Sequence, residues 1–132
     1  MKLSLFLGAA ALALFSTSTA FAEDFVGGAI KSTDIGGQMV LTDANGMTLY
    51  TYDKDVNPNE TTCYDQCAVN WPPLIADAGA TAEGEFTLVP RTDGTMMWAY
   101  DGKPLYLWIK DTEPGQTTGD GVGEVWHTAV LD

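Results

Sequence analysis

Residues 46–55 read GMTLYTYDKD, and residues 102–111 read GKPLYLWIKD. The two stretches lie 56 positions apart and share a glycine, a Leu-Tyr pair, a second aromatic residue and an aspartate. The agreement continues without a gap to a Thr-Thr pair, which is 61–62 in the first copy and 117–118 in the second. A period of this length indicates one supersecondary unit used twice, with each copy burying its apolar face against the other.

The N-terminus predicts export. An apolar run from Leu3 to Phe15 follows Lys2 and leads to the small-residue stretch Ala20-Phe21-Ala22. The run is too short to span a bilayer, and an Ala-x-Ala cleavage site follows it, so residues 1–22 are predicted to be a secretory signal peptide. Residues 23–132 are then expected to form one secreted domain holding two repeats, at about residues 38–75 and 86–131.

The charge limits the partners. The formal net charge is −12, and all 18 acidic residues follow the predicted cleavage site. Such a surface repels nucleic acid and anionic lipid, so neither is an expected partner. Because the short apolar run is expected to be removed with the signal peptide, the mature chain is not expected to span a membrane. The charge would attract cations or a basic partner, or it simply keeps an exported protein soluble, which the even scatter of the acids favours.

Cys63 and Cys67 are expected to form a disulfide. Both lie in the part predicted to be exported, where oxidising conditions favour pairing. Their spacing differs from the Cys-x-x-Cys of thioredoxin-like redox sites, and no second pair is present to complete a zinc site. Because the closed loop is short, the bridge is expected to shape one loop more than to stabilise the whole domain.

Short strands dominate the predicted secondary structure. Alternating apolar residues and hairpin signals such as Asn45-Gly46 and Asp101-Gly102 predict antiparallel strands. Thr62 followed by Asp65 suggests the start of a helical turn or two, from Cys63 to about Val69. The fold class is therefore all-β, with antiparallel hairpins and a meander built from two duplicated units and one short helix. The strands are expected at about 25–30, 38–42, 47–52, 86–89, 95–100, 103–109 and 125–131.

The repeated motif residues are expected to be structural. The aromatic residues are expected to fill the core, although a flat binding platform is the alternative. Asp55 and Asp111 are expected to tie the loop that leaves each strand onto backbone amides or a repeated hydroxyl such as that of Thr61 or Thr117. A catalytic role would need both carboxylates in one cleft, which the spacing does not indicate. The aromatic set in question includes Tyr50, Tyr52, Trp71, Tyr106, Trp108 and Trp126.

The sequence offers few candidate residues for catalysis or metal binding. His127 is the only histidine and no Gly-x-Ser-x-Gly elbow accompanies it, so no catalytic residue and no cofactor are expected. His127 with Met96 and Met97 would suit copper if the fold brought them together. Residues 53–60 carry oxygen ligands suited to calcium but fail the EF-hand pattern, because Pro58 stands where the required glycine belongs.

The tandem Tyr-x-[Phe/Trp/Tyr]-x-x-Asp pattern resembles a bacterial family, the secreted repeat of unknown function, also described as predicted lipoproteins with this motif. The surroundings agree with that resemblance over nearly the whole predicted mature chain: Cys63-x3-Cys67 leads to Trp71-Pro72-Pro73, and Gly119-Asp120-Gly121 precedes Trp126-His127. The resemblance implies export and duplication but supplies no reaction. Since the lipobox cysteine is missing, a free periplasmic or secreted form is expected.

We therefore expect an exported, non-enzymatic, monomeric protein. It would bind a protein, a glycan or a small ligand through an exposed aromatic-and-acidic face. The alternative is a periplasmic protein that handles copper or calcium.

Overall fold

The structure is a computed structural model that describes residues 22–132. The predicted signal peptide lies outside the described residues, except for Ala22. Eight strands and one short α-helix make up the described part. They are β1 Asp24–Phe25, β2 Ile30–Ile35, β3 Gln38–Asp43, β4 Tyr50–Tyr52, α1 Gln66–Asn70, β5 Phe86–Pro90, β6 Met96–Tyr100, β7 Lys103–Pro104 and β8 Trp126–Thr128, with short 3-10 turns at Val26–Gly28 and Val122–Glu124. Among residues 22–132, no helix has the length and apolarity needed to cross a membrane.

The strands form three small antiparallel sheets, ordered β1-β2-β3, β4-β8 and β5-β6-β7. The prediction of an all-β fold with antiparallel hairpins, two repeat units and one short helix is confirmed. Isolated bridges join the sheets, and the bridge between Tyr50 and Tyr106 pairs the same motif position of the two copies. In that bridge the amide of each tyrosine donates to the carbonyl of the other, at 2.8 and 3.0 Å.

The two repeats are intertwined through their last segments. The segment that ends the second repeat pairs with the first: Leu41 N–H donates to Ala129 C=O, Ala129 N–H to Leu49 C=O, and Leu49 N–H to Leu41 C=O, at 2.8–2.9 Å. These three bonds close a ring between three chain segments. At this place the first repeat therefore does not satisfy its own backbone groups alone, because one of the three segments comes from the other copy.

The same ring recurs with the copies exchanged. Trp98 N–H donates to Leu74 C=O, Leu74 N–H to Leu105 C=O, and Leu105 N–H to Trp98 C=O, at 2.9–3.0 Å. Here Leu74, which ends the first repeat, lies among segments of the second. The duplication has thus produced a domain with approximate twofold internal symmetry, in which each repeat completes the other.

Two clusters of buried side chains form the core, and adjacent motif residues contribute to both. Leu49 and Leu105 lie in the first cluster, whereas Tyr50 and Tyr106 lie in the second. Successive side chains of an extended chain point to opposite faces, so each repeated Leu-Tyr pair covers both sides of its strand. All four side chains are fully buried.

Several predicted bounds were wrong. The strand predicted at 25–30 ends at Phe25, because Gly27 and Gly28 adopt φ of 73° and 92° and turn the chain. The strand Ile30–Ile35 was not predicted, since its polar residues hide the alternation. The strand predicted at 103–109 is regular only at Lys103–Pro104, because successive residues beyond it pair with different neighbours.

The helix begins later than predicted. It spans Gln66–Asn70, and its N-cap is Asp65, which has φ of 56° and makes no side-chain capping bond. Thr62 was predicted to cap it, but the Thr62 hydroxyl donates to Asp55 at 2.7 Å and is therefore not available to the helix. Cys63 and Cys67 are joined in a disulfide between the loop and α1.

Candidate functional site

The motif tyrosines and aspartates contact each other across the two copies. Tyr50 of the first copy donates from its hydroxyl to Asp111 Oδ2 of the second at 2.6 Å. Tyr106 of the second copy donates to Asp55 Oδ2 of the first at 2.5 Å. We call the Asp55–Tyr106 pair the first clasp and the Asp111–Tyr50 pair the second clasp.

The other oxygen of each carboxylate holds the loop that follows its strand. Asp55 Oδ1 accepts bonds from the Thr62 amide and hydroxyl at 2.8 and 2.7 Å. Asp111 Oδ1 accepts the equivalent bonds from Thr118 at 3.0 and 2.5 Å. The loop attachments thus use the backbone amide and the hydroxyl of Thr62 and of Thr118, where backbone amides or a repeated hydroxyl such as that of Thr61 or Thr117 are expected from the sequence. Both oxygens of both carboxylates are engaged.

Each clasp tyrosine also accepts a bond, and here the copies differ. Gly119 N–H donates to Tyr50 Oη at 3.1 Å. Thr61 Oγ1 lies 2.6 Å from Tyr106 Oη, and because the single Tyr106 proton goes to Asp55, the Thr61 hydroxyl is the donor. Burial, followed by the hydrogen bond to a carboxylate, raises the pKa of Tyr50 and of Tyr106 well above the usual range.

The remaining motif aromatics form a continuous stack, which we call the aromatic ladder. Tyr52 stacks on Trp126, Trp126 on Trp71, and Trp71 on Trp108. The ladder follows the internal symmetry: Tyr52 and Trp108 are the second aromatic of each motif and form the ends, while each copy contributes one central tryptophan. Trp71 and Trp126 are buried, so the aromatic half of the expected binding face lies mostly inside the domain.

A recess opens beside the β4-β8 pair, with a volume of about 300 Å³, and we call it the polar recess. Trp126 points into the core from β8, and His127, the next residue, therefore points outward. His127 Nε2 lies 2.8 Å from Asp53 Oδ2, and both side chains are about half exposed. Asp101, Lys103 and Asp132 lie on the same rim, and Thr51 and Tyr100 also line the recess.

Acidic groups outnumber basic ones around the polar recess. Asp101 and Asp132 also approach Glu85, and one carboxylate oxygen from each lies within 4.8 Å of the others. Among residues 22–132 this is the one group of three or more His, Cys, Asp or Glu side chains with such spacing. Like charges this close favour a positively charged neighbour.

The structure does not bring the proposed copper ligands into one site within the described residues. Met97 is fully buried in the second core cluster, where its sulfur lies 3.5 Å from Arg91 Nη1. Met96, the preceding residue on β6, is exposed and points to the other side of the strand. Neither methionine lines the recess that contains His127.

Side chains of the oxygen-rich loop 53–60 already form hydrogen bonds within the protein. Asn57 donates to Glu60 at 2.8 Å, and the Asp55 carboxylate belongs to the first clasp. Sequence reasoning missed the recess residues Asp101, Lys103 and Asp132, and it considered Asp53 only as part of the oxygen-rich loop. The recess lies beside the β4-β8 pair, in which Thr51 is opposite His127. No local sequence pattern predicts a pairing between residues so far apart in the chain.

Fold and site together define an all-β tandem-repeat domain whose motif residues are exchanged between the copies. The model of one family, described as a secreted repeat of unknown function, matches residues 29–75 and 87–130. The two matches cover more than half of the chain, and the protein belongs to this family. The first match includes β2, which the sequence reasoning had left outside the repeat. No curated protein and no solved structure matches the chain.

Proposed function

We propose that this protein is a non-enzymatic binding domain of the periplasm or cell envelope, and that the polar recess recognises a small cationic group or a basic segment of a partner. A concave site with a few convergent polar groups is where ligands usually bind. The observation that carries the proposal is the recess itself, in which His127, Asp53, Asp101 and Asp132 converge without being used by the clasps.

The use of the motif carboxylates supports a non-enzymatic role. A general acid or base needs a free oxygen to exchange a proton with a substrate. In Asp55 and Asp111 both oxygens accept hydrogen bonds from the protein. Both cysteines are joined to each other, and within residues 22–132 the His127 ring bonds to Asp53 and to no hydroxyl that could act as a nucleophile.

The chemistry of the recess favours a cation over a glycan. Glycan sites usually offer an aromatic face, and in this protein both faces of Trp71 and Trp126 are covered by other rings. The acids of the recess instead face one lysine and one histidine, in a chain with a net charge of −12. Export is supported by the family description and by the disulfide, which persists in oxidising compartments.

Thermal unfolding in the presence of spermidine, a lysine-rich peptide and a neutral oligosaccharide tests the proposal. A ligand present at a hundred times its Kd stabilises the native state by about 2.7 kcal/mol, so the two cationic probes should raise Tm and the sugar should not. Asp53→Asn should weaken the response.

Glu113→Gln is the matched control, because it removes one negative charge from an exposed loop outside the recess. An equal loss of response in both variants would mean that the probes only screen the net charge. A rise in Tm with the oligosaccharide alone would place recognition elsewhere and would contradict the proposal.

A further inference from the structure

The aromatic ladder has a geometry that core packing alone does not favour. The ring centroids of Tyr52 and Trp126 lie 4.1 Å apart, those of Trp126 and Trp71 lie 3.8 Å apart, and those of Trp71 and Trp108 lie 3.9 Å apart. The interplanar angles are 10°, 3° and 25°. Aromatic pairs usually prefer offset or edge-on contacts with centroids about 4.5–7 Å apart. Four overlapping rings in a row therefore suggest a use for the overlap.

A glycine allows this close approach. A Cβ atom at Gly119 would lie 2.8 Å from one atom of the Trp71 ring and 3.0 Å from an atom of the Trp108 ring. The backbone φ of Gly119 is not positive, so conformation does not require glycine there, whereas the ring contacts do. The end rings, Tyr52 and Trp108, are partly exposed, and the two central indoles are buried. The ladder thus connects two points on the surface through the core.

A proton acceptor accompanies each central indole. Tyr50 meets Trp71 edge-on at 5.4 Å, and Tyr106 meets Trp126 edge-on at 5.1 Å. Each tyrosine hydroxyl donates to a clasp carboxylate. A phenol that loses an electron must also lose its proton, and in both clasps the group that can take the proton is already bonded to the hydroxyl.

We propose that the aromatic ladder conducts one-electron oxidation from its exposed indole, Trp108, to the two clasp tyrosines. A one-electron oxidant of the inorganic radical class takes an electron from Trp108, which becomes a radical cation, and the oxidant becomes its anion. Electrons then move along the ladder until a central indole is the radical cation. Tyr50 or Tyr106 transfers an electron to that indole while its hydroxyl proton moves to the bonded aspartate. The products are a restored indole, a neutral tyrosyl radical and a protonated carboxyl group.

Pulse radiolysis of the purified protein with the azidyl radical tests this pathway. The absorption of the indolyl radical should form first and then decay as that of the tyrosyl radical grows. The conversion should be first order and independent of protein concentration, because donor and acceptor lie in one molecule. It should also slow in deuterated water, because a proton moves with the electron. These wild-type measurements do not depend on the folding of any variant.

Variants identify the acceptors. Tyr50→Phe and Tyr106→Phe keep the rings but remove the hydroxyls, so each should lower the tyrosyl yield and the double variant should abolish it. Tyr64→Phe is the matched control, since Tyr64 lies under Arg91 and outside the ladder. Trp98→Phe is a second control, because Trp98 belongs to the other core cluster. Replacing both clasp aspartates by asparagine should slow conversion about tenfold, the effect of losing about 1.4 kcal/mol from a charge-assisted bond.

Three results would overturn the proposal. The first is an indolyl signal in the wild-type protein that decays without growth of a tyrosyl signal. The second is a conversion rate proportional to protein concentration, which would show transfer between molecules. The third is an undiminished tyrosyl yield in the folded double variant, which would locate the radical on Tyr52, Tyr64 or Tyr100 instead.

Discussion

Replacing Asp111 by alanine should destabilise the fold much more than the same change at Asp55. The two carboxylates accept the same three bonds, from a tyrosine hydroxyl and from the amide and hydroxyl of a threonine seven residues further on. They differ in exposure, because Asp111 is only 7% exposed whereas Asp55 is half-buried. The two substitutions therefore compare a buried carboxylate with a half-buried one, and Tyr106 alone keeps a neighbouring hydroxyl, that of Thr61.

The expected loss of unfolding free energy depends on which polar groups are left without a hydrogen-bond partner after the substitution. Removing one partner from a buried charged network costs about 3–5 kcal/mol, because the other polar groups stay buried without a bond. After Asp111→Ala the Tyr50 hydroxyl would have no acceptor, and the Thr118 groups would lose theirs. At the first clasp water can replace part of the carboxylate, so we expect about 1–3 kcal/mol for Asp55→Ala.

Urea denaturation measures both costs. With an m value of about 2 kcal/mol/M, a loss of 4 kcal/mol lowers the midpoint by about 2 M for Asp111→Ala, with m unchanged. A double-mutant cycle with Tyr50→Phe should then give a coupling energy of about 1–3 kcal/mol, because the two side chains share one short bond. Equal costs at the two clasps, or a larger cost at Asp55, would refute the argument from burial.

Two further changes probe the same core. Gly119→Ala should cost about 1–3 kcal/mol by overpacking, since the new methyl group meets the Trp71 and Trp108 rings, and an unchanged urea midpoint would show that the rings can move apart. At alkaline pH, the raised pKa values of Tyr50 and Tyr106 mean that the folded state keeps two protons that the unfolded chain loses above its ordinary tyrosine pKa of 10.0. Stability should therefore be complete below about pH 10 and fall by up to about 2.7 kcal/mol per pH unit above it, and a flat profile of urea midpoints between about pH 9 and 11 would contradict this reasoning.

The duplication and its hairpin turn could be predicted because their signals are local, although the repeated strands are shorter than predicted. The Leu-Tyr alternation and the turn at Asn45-Gly46 depend on residues close together in the chain, and the spacing of 56 shows that one such local pattern occurs twice. Gly46 adopts φ of 86°, and the Asp43 carboxylate accepts bonds from two amides of that turn. Local chemistry of this kind can be interpreted without knowing the partner strand.

Which copy each motif residue contacts could not be predicted. Tyr50 lies five residues before Asp55 and 61 before Asp111, and a carboxylate at either place satisfies the same local pattern. In one arrangement each tyrosine bonds the aspartate of its own copy. In the other it bonds the aspartate of the opposite copy. The polar recess was missed for a similar reason, because its central pair, His127 and Asp53, is separated by 74 positions.

Exchange of segments explains why each motif position is repeated and why the copies need not be identical. Tyr50 and Tyr106 each bond the aspartate of the opposite copy. A substitution in one copy therefore affects the loop that the aspartate of the other copy holds. Both clasps use the same residue types, a tyrosine and an aspartate. At other positions the copies diverge: Cys63 forms a disulfide in the first, while Gly119, at the equivalent place in the second, admits the rings of the ladder. Each repeat thus supplies a part of the core that the other lacks, and we expect the two to unfold together.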